Sequence, residues 1–495
     1  MMVASFPRVD PQQVLEQAIA DLRSPRPGDT LPRIEQALRT APQDARLWHV
    51  KGMILRRLDR REQALPALER AARLAPGDPM IVHSLARTLS EAGLPSLEAY
   101  ARALKAAPGD PAIVLGMAAA MVAEGQVGDA IAGLASILAR SPAWVEGHVS
   151  LSQLRWMEGE REGFARSFDE ALALQPANAT LRWQQITTLL HAEQFHEVLR
   201  VVGEGRRHNV DEHLLAANEA VTLAELGETE AADRLFAKLD HLADATIEVR
   251  RVRHLLRSGR PEQAAAVLEP WLDSGEQAKF WPYAATTWRL LGDPRWQWLE
   301  GDPRFVGVYD IADRLPPLDG LAETLRALHT TRGQPLEQSV RGGTQTDGNL
   351  FHRIDPLIVQ LREAVRAAVA EHAAQLPPLD PSHPLLRSRP GAIQFSGAWS
   401  VRLQAGGSHS NHVHPQGWLS SALYIVLPPD LGRDEAGWLT LGEPHAQLKL
   451  DLPPARMVEP KPGRLALFPS TMWHGTRPFG SGERMTVAFD VALPS

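Results

Sequence analysis

The sequence predicts a multidomain α + β chain, a solenoid of paired helices followed by a β-rich domain, and three observations predict it. Prolines recur at Pro42, Pro76, Pro108, Pro142 and Pro176, at gaps of 34, 32, 34 and 34 residues. Such a fixed period marks a stack of identical supersecondary units. From about residue 392 the pattern changes to short alternating, β-branched runs (IQFSGAWSVRL, SSALYIVLP, GWLTLGE, GRLALFP, RMTVAFDVAL) broken by Pro and Gly, the mark of short strands around turns. Between those runs lie His412-x-His414 and, about sixty residues on, His474.

Composition narrows the class. With 495 residues the chain exceeds one ordinary core. Its 44% hydrophobic and 22% charged residues are those of a globular protein. The net charge of −7 gives no electrostatic case for nucleic acid or anionic membrane. There is no cysteine, which excludes disulfides, thiolate zinc sites, iron–sulfur clusters and Cys nucleophiles. No signal peptide is read in MMVASFPRVDPQQ and no apolar run reaches membrane-spanning length. A cytoplasmic protein is the expectation, with self-association left open.

Each proline sits in a similar phrase (TAPQDA, LAPGDP, AAPGDP, RSPAWV, LQPANA). The unit from Asp44 resembles the tetratricopeptide repeat: Trp48 and Gly52 lie four apart on a first helix, Ala64, Leu68 and Ala71 follow on a second, and Pro76 ends it. Small residues let paired helices approach closely, and Pro stops a helix. Asp78, Asp110 and Asn178 are placed to cap the next helices. A shortened unit near Gly93-Leu94-Pro95 accounts for the gap of 32. Helical patterning continues through 212–226, 229–242 and 261–272. Residues 1–290 are therefore expected to form the solenoid, which the resemblance implies either docks a protein or peptide partner or serves a purely architectural or dimerising role.

Residues 291–335 read as an aromatic-rich inter-domain segment: four tryptophans between Trp281 and Leu315 predict a buried seam rather than ligand stacking. Two helices are expected over 318–329 and 355–375. Between them, 339–348 (SVRGGTQTDG) reads as a loop that lacks the P-loop order and either lines a site or makes a turn. Residues 336–495 are the expected β-domain, with strands numerous enough for a jelly roll or double-stranded β-helix.

A strand places residues i and i+2 on one face, so His412 and His414 are expected to point together, with His474 completing the set from a later strand. Without thiolates, imidazole and oxygen ligands point to Fe(II) ahead of Mn, Zn or Cu. His409 is off this phase and is expected to serve the pocket or the fold.

The segments GGTQTDGNLF, W-x-V-x-L-x-x-G-G-x-H-x-N-H-V-H-P (Trp399 to Pro415), SSALYIVLP and FPSTMWHGTRPF…RMT together resemble the 2-oxoglutarate/Fe(II)-dependent oxygenases, in particular the bacterial group with tetratricopeptide repeats ahead of the catalytic domain. The resemblance covers about 339–495. It implies Fe(II) and 2-oxoglutarate, oxidative decarboxylation of 2-oxoglutarate to succinate, and hydroxylation of a substrate. It implies metal ligation by His412 and His474, and an Arg484 salt bridge to the far carboxylate of 2-oxoglutarate, ten residues past His474. Thr486 stands where an R-x-S motif puts its hydroxyl, and Tyr424 is a further donor or a core residue. The departure is His414, which stands where the family has a carboxylate: either it is the third ligand, or solvent or a distant carboxylate is. Two rival readings remain. A three-His cupin would not need 2-oxoglutarate, but the Glu expected after His414 is replaced by Gln416, Gly417 and Trp418. A non-catalytic repeat scaffold would hold no metal.

Overall fold

The computed structural model describes residues 10–24, 26–336, 338–428, 431 and 433–494; the opening residues 1–9, read above for a signal peptide, lie outside them. The chain divides into two compact units, one reaching Gly133 and including Asn349–Val359, the other Leu134–Gly348 with Gln360–Ser495.

In the first unit the proline period sets helix after helix. Ala45–Arg57 pairs with Arg61–Leu74, and Pro79–Glu91 with Leu97–Ala106. Carboxylates just past each proline accept from orphan amides of the first turn: Asp44 from Arg46 N, Asp78 from Met80 N and Ile81 N, Asp110 from Ala112 N and Ile113 N. Each such cap is worth about 1 kcal/mol. Gly52 is small because Leu68 occupies its side: a Cβ there would lie 2.5 Å from Leu68 Cγ. The short connection at Gly93 has another occupant. The Arg353 guanidinium lies where a Gly93 side chain would go, and Ile354 N donates to Ala92 O at 3.1 Å. Ile354 packs on the Leu85–Ala92 cluster. Part of the repeat surface is thus covered by the chain's own segment 349–359, a contact that helical periodicity alone does not announce.

The second unit contains its own run of helices, from Val145–Met157 to Trp281–Leu291. Asn178 caps Ala179–His191 through Leu181 N. The predicted aromatic seam is packing: Phe280, Trp281 and Trp288 are buried in one cluster with Leu448 and Trp473 of the β-domain. Trp473 Nε1 donates to Pro282 O at 3.0 Å and lies 3.1 Å from Thr286 Oγ1.

Among the described residues nine strands follow: β1 (Gly307–Asp310), β2 (Val340–Gln345), β3 (Phe395–His409), β4 (Gly417–Val426), β5 (Leu439–Leu441), β6 (Arg456–Val458), β7 (Arg464–Pro469), β8 (His474–Thr476) and β9 (Arg484–Ala492). They form a six-stranded sheet, β1-β7-β4-β9-β3-β2, and a three-stranded sheet, β6-β5-β8, antiparallel throughout. This is the two-sheet arrangement expected of a jelly roll.

Two sequence expectations need correction. The stretch 339–348 is largely strand rather than loop: β2 pairs with β3, with a bulge between Arg341 and Gly343. Gly342 takes φ +70 to make that bulge, and a Cβ on Gly343 would strike Arg402 O at 2.3 Å. The glycines that read as loop permit a close strand approach. The segment 291–335 likewise contributes an edge strand, β1.

Alternation along β9 separates two environments. Met485, Val487, Phe489 and Val491 are fully buried on one face, where the Leu318–Arg326 helix lies against β4. The Pro356–Gln375 helix reaches β1 and β3 through a 2.9 Å His372 Nδ1–Tyr309 Oη hydrogen bond and Arg366 over the Phe395 ring. Arg484, Thr486, Ala488 and Asp490 share the opposite, inner face.

Candidate metal and dicarboxylate site

The histidines come together, though not by the strand phase that predicted it. β3 ends at His409, and His412 forms a single bridge to His474, the first residue of β8. His412 N donates to His474 O at 2.9 Å, and His474 N returns to His412 O at 3.0 Å. His414 lies in the turn before β4, with its amide on Ser470 O at 2.8 Å. What turns both imidazoles inward is the packing of their neighbours: Val413 and Trp473 point into the aromatic seam. Gly475 leaves room for Asn411, whose Oδ1 would sit 2.0 Å from a Cβ there.

The rings of His412, His414 and His474 lie 4.2–5.1 Å apart between centroids. One nitrogen from each falls within 4.8 Å of the other two. Every Nδ1 has an acceptor: Ser410 O at 2.8 Å for His412, Met472 O at 3.0 Å for His474, and Asp490 Oδ2 at 2.6 Å for His414. These bonds keep the proton on Nδ1 and make Nε2 the acceptor on the inner side, the arrangement that metal-ligating histidines adopt. Burial, followed by the neighbouring imidazoles, pushes His412 well below its ordinary pKa. Burial and His414 do the same for His474. Both are therefore neutral at physiological pH, as ligation requires. Among the described residues this grouping contains no carboxylate.

Asp490 was not singled out in the sequence. It lies 76 residues from His414, and only the inner-face phase of β9 brings the two together. Ser420, opposite Asp490 on β4, donates to its Oδ1 at 2.7 Å. Ser339 is a second addition: its hydroxyl lies 3.2 Å from His412 Nε2 and 3.0 Å from His409 Nδ1. The residue just before β2 therefore touches the site. Burial, then the Arg484 charge, lowers the His409 pKa to about 3, so His409 is a neutral wall residue.

Arg484 is 2% exposed, and its Nε and Nη1 have no hydrogen-bond partner. Its guanidinium stands 5.1 Å from the centre of the Tyr424 ring, and Tyr424 Oη is unpartnered as well. Thr486, on the same face, is 4% exposed and pairs across β4 with Tyr424. An unpaired buried guanidinium is costly unless an anion joins it, and its fork suits a carboxylate. The donors present thus fit a metal ion and an organic acid together.

Residues 397–490 match the family model described as “Putative 2OG-Fe(II) oxygenase”. That span runs from β3 to Asp490 and includes all three histidines and Arg484. Residues 96–148 match the model described as “Tetratricopeptide repeat”. No curated protein matches the chain. Among solved structures, the chain is similar to a tetratricopeptide repeat protein from Parabacteroides merdae (15% identity, 47% of this chain and 93% of that one, TM-score 0.32). It is also similar to YrrB, described as a TPR protein with an unusual peptide-binding site (17%, 35% and 89%, 0.29), and to yeast Tom70 (14%, 61% and 68%, 0.36).

Proposed function

We propose that the protein is a 2-oxoglutarate- and Fe(II)-dependent dioxygenase, a hydroxylase whose repeats dock a protein or peptide substrate. The observation that carries this reading is one site bearing three pinned imidazoles and a buried guanidinium whose Nε and Nη1 have no hydrogen-bond partner. His412, His414 and His474 would hold the iron, and Arg484 with Thr486 would hold the far carboxylate of 2-oxoglutarate. When bound, iron and 2-oxoglutarate together supply the oxidising power that puts a hydroxyl on a C–H bond.

The chain's own residues prepare that chemistry. Ser410 O, Met472 O and Asp490 keep the protons on the outer nitrogens, so that the lone pairs face inward, that of His412 once the Ser339 hydroxyl turns away. Asp490 also bears on the family's missing carboxylate: it puts a negative charge one hydrogen bond behind His414 rather than on the metal. Arg484 provides a fixed positive charge in a water-poor pocket, where it acts more strongly than in water. The fully buried Tyr424 and the half-buried Trp399, whose ring lies 5.7 Å from that of His414, flank the site.

The test is turnover. Purified protein given Fe(II), 2-oxoglutarate and air should form succinate, seen by proton NMR, and His474→Ala should abolish it. Metal bound without consumption of 2-oxoglutarate would favour the three-His cupin reading, and absence of stoichiometric metal would leave a repeat scaffold.

A further inference from the structure

The helical repeats contain a second buried basic site. Equivalent positions can be compared by their distance from each repeat proline. Six residues on stand Trp48, Val82, Val114, His148 and Arg182. Thirteen on stand Leu55, Leu89, Met121, Arg155 and Leu189, and twenty-five on stand Ala67, Ala101, Gly133, Ser167 and Val201. Only the unit from Pro142 puts a charge at the second position and a hydroxyl at the third.

Part of this has a structural reason. Trp48 Nε1, His148 Nε2 and Arg182 Nη2 each donate to the carbonyl of their own repeat proline, at 3.0, 3.0 and 3.2 Å. Arg155 and Ser167 have no such reason. They are 7% and 3% exposed, and Arg155 Nε and Nη1, Ser167 Oγ and His148 Nδ1 all lack hydrogen-bond partners. Arg155, Ser167 and His148 line one cavity of about 70 Å³ between the ends of the Val127–Leu138, Val145–Met157 and Arg166–Leu174 helices. Glu160 stays 3.9 Å from Arg155 Nε, too far for a hydrogen bond, and is bonded by Arg166 instead. A repeat that needs only apolar filling here has accepted a buried guanidinium whose Nε and Nη1 make no hydrogen bond and whose nearest carboxylate, Glu160, reaches it only at ion-pair distance, an arrangement that costs stability unless an acceptor completes it.

We propose that this cavity binds an aliphatic monocarboxylate. The Nε and Nη1 edge of Arg155 would take both carboxylate oxygens, with the Ser167 hydroxyl donating to one of them. The buried Leu138 and Leu151 wall the stem, and the exposed Leu174 stands at the mouth. The volume, against about 30 Å³ for one liquid water, limits the guest to a short acid or the carboxylate end of a longer chain. Glu170, also in the lining, opposes a second negative charge and so selects a monocarboxylate.

The probe is propionate, titrated calorimetrically into the full-length protein at constant ionic strength, with propionamide as control. A short peptide with a free or an amidated C-terminus, titrated in the same way, distinguishes a free acid from a chain end. Saturable binding of propionate or of the free-ended peptide, absent for the amides and at least tenfold weaker in both Arg155→Leu and Arg155→Lys, is the expected result. Arg155→Leu, which restores the residue of three sister repeats, should also raise the melting temperature of the helical signal in the absence of probe. A cavity that takes water only, shown by no saturable binding of either probe, overturns the proposal. So does an Arg155→Leu protein that melts lower than the parent, since Arg155 would then be stabilising the fold through its own contacts.

Discussion

Replacing Asp490 with Asn tests how the chain manages without a carboxylate on the metal. Asp490 Oδ2 is 2.6 Å from His414 Nδ1, and Oδ1 receives Ser420 Oγ at 2.7 Å. Asn keeps the shape and can still accept one hydrogen bond, but it removes the charge. A charge-assisted hydrogen bond is roughly twice as strong as a neutral one, and partners behind a metal-bound histidine are worth about 10–100-fold in metal affinity. That range corresponds to about 1.4–2.7 kcal/mol. The assay is anaerobic titration with Co(II), followed by its visible d–d bands, for parent and D490N. Affinity should fall by that factor while the helical melting transition stays in place. A Co(II) affinity within twofold of the parent would refute the role given to Asp490.

Three further outcomes are expected. Arg484→Leu should stabilise the protein without ligand by about 1–4 kcal/mol, because a buried unpaired charge is replaced by packing; it should also abolish any rise in melting temperature on adding 2-oxoglutarate, as thermal unfolding would show. Trp473→Phe should lose the contacts of Nε1 with Pro282 O and Thr286 Oγ1, costing about 1–3 kcal/mol by denaturant unfolding. In the first unit, burial alone would raise the Glu91 pKa, but its hydrogen bond to Arg56 and the charges of Arg56, Arg61 and Arg87 outweigh this and hold it at about 2, against 4.5 ordinarily. A depressed carboxylate stabilises above its unfolded pKa and loses that contribution as pH falls through the folded one. About 3 kcal/mol should therefore disappear between pH 4.5 and pH 2, and Glu91→Gln should flatten that part of the curve.

Features written in local chemistry were legible in the sequence. The proline period, the Asp caps after it and the small Gly52 each act within one helix pair, so the solenoid could be read unit by unit. Strands β3 and β9 alternate, and β4 is apolar, strongly enough to be seen, and the inner-face pairing of Arg484 with Thr486 follows from the alternation of β9 alone. The meeting of His412 with His414 was expected on a strand, yet it arises in a turn whose intervening residue, Val413, is drawn into the seam. β2 was missed because Gly342 and Gly343 look like loop residues until a facing strand explains them. Asp490, Ser339 and the docking of Arg353 at Gly93 are contacts across tens or hundreds of residues, and no window of local sequence contains them.

The most direct test of the central claim is the visible spectrum of the anaerobic protein as 2-oxoglutarate is added to its Fe(II) form. A weak charge-transfer band that grows to saturation at one equivalent, and is absent in both His412→Ala and Arg484→Leu, is the predicted result. Fe(II) bound with no such band, or a band that persists when Arg484 is removed, would contradict the account.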